Sequence, residues 1–280
     1  MFKKKLRVSP ANSTHRLSCI LALFIVLSSL SGCAHKQFGP AVTGDELIQL
    51  GQMYTAYRNS FSSCSSGLDG DVVVHWRPAV NKTSFNGYVK ILLPTYLHVS
   101  ALTPLNQPLF ALSSDGKWFQ TIDVAKKTFR KGSLRSFSAR HDLPKTLLTG
   151  EWGSWLTGRP LDSAPFVTGI TEDLENRGVW VSISDRLDKE SPIEHTLVNF
   201  SSQRLAERVV VDARGDTNAV ISYGNWQSVG RCQQPMKIYI SDLPMGAEAV
   251  LELSDIQPAN FKKDGFNLYI PPGYRRQFLP

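Results

Sequence analysis

The sequence lacks the short motifs that mark most enzyme chemistries. It has no Gly-x-Ser-x-Gly turn, no His-Glu-x-x-His pair, no Cys-x-x-Cys and no Gly-rich phosphate loop anywhere in its 280 residues. No catalytic residue is therefore nominated, and an enzyme is not expected. Beyond the N-terminal segment the histidines, His35, His75, His98, His141 and His195, are scattered without ligand spacing, so neither a metal nor another cofactor is implied. A concentrated basic face is absent as well. The chain has 31 basic and 24 acidic residues, but Lys3, Lys4, Lys5, Arg7 and Arg16 all precede residue 17. The 31 less these five leave 26 against 24. The rest of the chain is nearly neutral, and a nucleic-acid partner is excluded on that ground.

The N-terminus carries the strongest positive signal. A basic region is followed by the apolar run Leu17–Leu30, which is 14 residues long and short of the roughly 20 that span a bilayer. Small residues close it. That order is the pattern of a secretory signal peptide. The sequence Leu30-Ser31-Gly32-Cys33 resembles the lipobox of bacterial lipoproteins, which implies cleavage before Cys33 and lipid on its sulfur. Two or more acyl chains anchor stably where one does not. The alternative is a secreted protein with a cysteine at that place by chance. Ala34 replaces the aspartate associated with inner-membrane retention, so the expected location is the periplasmic face of the outer membrane. The expected division is a leader over 1–32, a lipidated tether over 33–42 and one domain over 43–280.

Cysteine is scarce, with four in the chain. Beyond the leader and the anchor only Cys64 and Cys232 remain, and an oxidising periplasm makes a disulfide between them a reasonable expectation. Thr43 and Glu46 frame a capping box, and Leu47, Leu50, Tyr54 and Tyr57 recur at helical spacing over 45–59. From Val72 the period becomes two. Val72, Val74 and Trp76 share one strand face, and Phe85, Val89 and Ile91 share another. Leu97, Val99 and Ala101 share a third. Asp115-Gly116 marks a hairpin between 109–112 and 118–124. Asp142, Pro144 and the apolar residues up to Leu156 predict one or two short helices over 142–157. Strands resume at 178–184, 195–200, 204–212, 217–226, 236–240 and 247–254. The class is mainly β with helical cover (α+β), in an antiparallel sheet. Several strands, such as Val209-Val210-Val211, are apolar on both faces. Helices covering a second face, or a concave sheet around an apolar cavity, would each account for this.

Further residues match a known family. The stretch from Leu251 to Asn260, followed by Phe266-Asn267-Leu268-Tyr269-Ile270-Pro271-Pro272-Gly273-Tyr274, resembles the C-terminal end of the LolA/LolB lipoprotein carriers, where an aromatic strand is closed by a Pro-Gly turn. Tyr223-Gly224-Asn225-Trp226 and Pro235–Ile240 fit its paired strands. Thr103-Pro104-Leu105-Asn106 is similar to the Pro-Leu-Gly turn of the LolB branch, with Asn106 in place of glycine. The resemblance implies a half-open, curved antiparallel β-barrel whose helices plug an apolar cavity for acyl chains. It also implies an acceptor role for Leu105. Trp76, Trp118, Trp152, Trp155 and Trp180 suit a lipid-cavity lining by size and amphipathic character. The implied function is binding the acyl chains of lipoproteins or lipids and helping to localise them to the outer membrane. The expected partners are those chains and the membrane reached through Cys33, for a monomeric protein. The alternative is a scaffold lipoprotein of an envelope complex using the same fold.

Overall fold

The computed structural model describes residues 38–78, 82–141, 143–186 and 193–279. The leader, Cys33, the first part of the tether and Asp142 lie outside them. Among the described residues no helix is long and apolar enough to cross a membrane.

The chain enters through a helix, α1 (Gly44–Ser60). Tyr54 and Tyr57 are its buried residues. The expected capping box does not form: Thr43 occupies the N-cap but makes no side-chain cap bond. Gly44 adopts a φ of 65°, which turns the chain between Thr43 and the first helical turn. A 3₁₀ turn leads to Cys64, which is bonded to Cys232, 168 positions further along the chain, with Cα atoms 5.7 Å apart.

Fourteen strands then form one open sheet. Six come first: β1 (Gly67–Arg77), β2 (Thr83–Leu92), β3 (Tyr96–Leu102), β4 (Pro108–Ser114), β5 (Trp118–Asp123) and β6 (Thr128–Ser133). Three short helices interrupt: α2 (Leu134–His141), α3 (Lys145–Thr149) and α4 (Trp152–Thr157). The sheet resumes with β7 (Phe166–Glu172), β8 (Val179–Ser184), β9 (Glu194–Asn199), β10 (Arg204–Val211), β11 (Thr217–Val229), β12 (Cys232–Leu243) and β13 (Ala247–Ala259), and it ends with β14 (Arg275–Leu279). The spatial order is β14-β6-β5-β4-β3-β2-β1-β13-β12-β11-β10-β9-β8-β7. Neighbouring strands pair antiparallel, β1 with β13 included, and only β14 joins its neighbour β6 in parallel; the consecutive strands β6 and β7, and β13 and β14, are not neighbours. The sheet is not closed on itself.

Two differences from the sequence expectation stand out. The one or two short helices expected over 142–157 are two, separated where Gly150 and Glu151 leave helical geometry, but an additional helix, α2, precedes them. The aromatic stretch 266–274 is not a strand. Pro271 and Pro272 have no N–H to give a ladder, and the segment instead crosses the outer face of β4 and β5. There the Phe266 carbonyl accepts from Ser113 Oγ at 2.5 Å, and Gln120 receives the Leu268 amide at 3.0 Å.

Both faces of the sheet are buried toward the β8–β10 end. Val210 joins the main core with Tyr54, Ile221 and Ile238, while Val209 and Val211 face a second cluster with Trp180, Leu197 and Phe38. The three consecutive valines therefore need no alternation, since each face has its own cover. The Trp180 indole donates to Asp173 Oδ1 at 3.0 Å, and Arg177 Nη2 reaches the same carboxylate at 3.0 Å. The Arg177 hydrogen bond is the largest cause that holds Asp173 down at about 2, from an ordinary 3.8. A depressed carboxylate stabilises the fold above its unfolded pKa and loses that contribution as pH falls through its folded one. Thermal melts of Asp173→Asn should accordingly lose less stability than the parent between pH 3.8 and about 2. An identical acid limb in the two proteins would contradict this role.

Candidate functional site

Along β4, Phe110, Leu112 and Ser114 point to one face of the sheet, in phase with Leu97 on β3 and Phe119 on β5. Across from them stand Leu134 and Phe137 of α2, Leu148 of α3 and Trp152 of α4. Together these elements bound a groove of about 480 Å³, within the roughly 300–1,000 Å³ usual for small-ligand sites. Its polar contributions are few: Ser114, Thr121 and Arg130. Arg130 is engaged, its Nε donating to Gln277 Oε1 at 2.9 Å. Leu279 of β14 closes one end. Gly132 makes that closure possible, because a Cβ there would lie 2.9 Å from both Leu279 and the Phe119 ring.

The two sides of the groove differ in how they are held. Helix α4 is fixed. The Gly153 amide donates to the Pro94 carbonyl at 2.9 Å, and a Cβ at Gly153 would come within 2.6 Å of that oxygen. Glu151 accepts from the amides of Asp162 and Ser163 at 3.0 and 2.7 Å. Tyr223 Oη donates to the Trp155 carbonyl at 2.7 Å. The Trp155 indole donates to Glu194 at 3.2 Å, and Arg208 donates to the Arg159 carbonyl at 2.6 Å. Glu194 and Arg208 form a fully enclosed ion pair at 3.0 Å. Burial is the largest influence on Glu194 and pushes it up to about 7, against the opposing pull of Arg208 and Trp155. Helices α2 and α3 are held by a mixture of contacts: the Leu134 amide donates to the Lys117 carbonyl at 2.9 Å, Phe137 packs 5.2 Å from the Phe119 ring, Asn218 Nδ2 donates to Thr146 Oγ1 at 2.7 Å, and Leu147 is buried in the main core.

Of the tryptophans expected to line a cavity, Trp152 does. The others are elsewhere, Trp118 and Trp180 by strand parity and Trp76 and Trp155 by their place in the fold. Trp118 is next to Phe119 in a strand and so points to the opposite face, where it is half-exposed beside Tyr96 and Phe266. Trp180 faces the second cluster. Trp155 is buried in the main core behind α4, 5.0 Å from the Trp152 ring. Trp76 shares the face of Val72 and Val74 but lies at the exposed end of β1. Leu105 is 81% exposed at the tip of the β3–β4 turn. Thr103 organises that turn, its Oγ1 accepting the Leu105 and Gln107 amides at 3.2 and 3.0 Å. Asn106 takes a φ of 58°, a conformation asparagine tolerates better than most residues. The groove residues not singled out in the sequence were legible in part. Phe110 and Leu112 alternate in phase, and Leu134 and Phe137 stand three apart.

No protein-family model and no curated protein matches the sequence. Solved structures do. A LolA superfamily protein from Nitrosomonas europaea aligns over 78% of this chain and 97% of its own at 13% identity, with a TM-score of 0.49. A DUF1329 family protein from Desulfovibrio piger aligns over 80% and 97% at 9% identity, and its TM-score of 0.53 marks a shared topology. The chain shares the fold of that DUF1329 family protein. At such identities the likeness is of fold alone, and the sheet of this chain gains its chemical meaning from its own groove.

Proposed function

We propose that this protein is an outer-membrane lipoprotein that holds acyl chains of lipids or lipoproteins in the groove beneath α2–α4. The observation that carries the reading is the groove itself: an apolar channel between a sheet face and three short helices, with few polar groups in its lining. Acyl chains offer no hydrogen bonds, so a site for them needs apolar surface and few polar groups. Each methylene moved from water contributes about 0.8 kcal/mol. Entry requires a wall to move. The segment 134–149 is the candidate, and α4 stays in place. In this reading the sheet and its helices make a half-open barrel around the chain, Leu105 presents the exposed contact for incoming cargo, and lipid on Cys33 keeps the protein at one membrane. Cys33→Ser should abolish acyl labelling of the chain.

A wedge tests the groove. Leu112→Trp projects into it from β4 and should weaken uptake of a fluorescent fatty acid about tenfold or more, the equivalent of two displaced methylenes. Trp118→Ala, on the opposite face, should leave uptake unchanged. Equal uptake by Leu112→Trp and the parent would remove the groove from the account.

A further inference from the structure

A second recess lies on the other side of α4. Ser154 follows Trp152 by two residues, a rotation of about 200° on a helix, and so faces away from the apolar groove. It borders a polar recess of about 460 Å³ together with Arg58, Ser62, Cys64, Arg159 and Asp162. Two guanidinium groups line it together with one carboxylate, Asp162, which acts on Arg159 electrostatically without pairing directly with it. Among the described residues no acidic side chain lies within 4.0 Å of either. Arg58 donates to the carbonyls of Pro165 and Leu161 at 3.0 and 3.4 Å. Arg159 is 5% exposed and donates through Nη1 to the Ser65 carbonyl at 2.7 Å. Its Nε has no hydrogen-bond partner at all. The acidic groups nearby do not complete the site. Asp162 is exposed at the mouth, and Glu151 already accepts two amides and the Ser154 hydroxyl.

An enclosed cation without a direct ion-pair partner is costly, and proteins ordinarily pair such a charge or bind a ligand with it. A guanidinium has five N–H donors in a planar fork, and one bond to a carbonyl leaves most of Arg159 unused. That fork matches the oxygens of a phosphate group. The frame is fixed rather than adaptive. The Cys64–Cys232 bond is adjacent to Ser65, whose carbonyl aims Arg159, and the Ser66 carbonyl accepts the Leu93 amide at 2.9 Å.

We propose that this recess is an oxyanion site of the phosphate class, with Arg159 as its fixed donor and Arg58 as its second. The site stands on its own residues and does not depend on the acyl-chain reading. The group could arrive as free phosphate or as the headgroup of an anionic phospholipid, and one experiment separates the two sources. The full chain in a neutral detergent is titrated with inorganic phosphate and with dihexanoyl-phosphatidylglycerol, at constant ionic strength set with chloride. Binding is read by calorimetry and by the shift in melting temperature. Saturable binding at one site is expected, weakened about tenfold or more in Arg58→Gln and in Arg159→Gln, since each removes a charge-assisted bond. Arg58 is partly exposed and its variant retains the core, so it reads the site even where Arg159→Gln fails to fold. Phosphatidylglycerol binding tenfold tighter than phosphate assigns the site to a lipid headgroup. Equal affinities assign it to the free anion. Absence of saturable binding by both ligands, or undiminished binding in folded Arg58→Gln, overturns the proposal.

Discussion

Replacing Arg208 by methionine is expected to destabilise the protein by about 3–5 kcal/mol near neutral pH, the usual result of leaving one member of a buried ion pair behind. The cause is local. Arg208 and Glu194 are both enclosed and meet at 3.0 Å, so the variant strands a carboxylate among Tyr54, Trp155 and the apolar core. The loss should shrink in acid, where Glu194 takes up a proton and no longer needs a partner. The parent has a related pH dependence. Its folded Glu194 titrates near 7 rather than at the ordinary 4.5, so between those values the folded state holds more proton than the unfolded one. Stability from this group is therefore complete below pH 4.5 and declines as pH rises through about 7. Glu194→Gln should flatten that segment of the curve. The double variant Arg208→Met with Glu194→Leu should recover much of the stability lost by the single one, because neither charge remains to be desolvated. Urea unfolding at pH 5 and pH 8 on the set checks all three statements. A single variant as stable as its parent at pH 8 would mean that the pair does not hold α4.

The second large effect concerns Cys64 and Cys232. Their bond closes a segment of 168 residues, and on the chain-entropy account a loop of that length corresponds to about 5 kcal/mol, with measured losses of about 2–5 kcal/mol in small secreted domains. Cys64→Ala with Cys232→Ala should therefore lower the midpoint of denaturation strongly, and a reductant should do the same to the parent while leaving the double variant unchanged. The bond links the end of α1 to the start of β12. Its loss should loosen Phe61–Ser66 first and expose that segment to hydrogen exchange ahead of the β10–β12 core. Coincident unfolding of the parent in oxidised and reduced form would contradict the assignment.

The central strands were legible in the sequence because their side chains alternate and their turns carry recognisable residues. The Asp115-Gly116 hairpin is an instance: Gly116 takes a φ of 85°, and Asp115 Oδ1 receives the amides of Lys117 and Trp118 at 2.8 and 2.6 Å. What escaped was non-local or atypical. β7 is interrupted by Gly169 and follows Pro165, and β14 is the polar run Arg275-Arg276-Gln277 ending in Phe278 and Leu279. The position of β14 is set by a parallel pairing with residues 147 earlier in the chain, Arg275 opposite Thr128, and no local pattern records such a pairing. The groove was half legible. Apolar excess in the strands pointed to a second cover, yet size alone could not say which tryptophans face it. Parity did: Phe119 lines the groove, and its neighbour Trp118 cannot. Trp180 suited a cavity by composition but packs with Phe38, because the N-terminal segment covers the other face of β8.

In the proposed function the groove beneath α2–α4 takes acyl chains. Its most direct test is mass spectrometry of the intact chain, purified under native conditions in parallel with Leu112→Trp. The parent is expected to carry non-covalent acyl-chain species that are absent or sharply reduced in the wedge variant. A parent that remains free of bound lipid, even after incubation with lipid vesicles, would contradict the account.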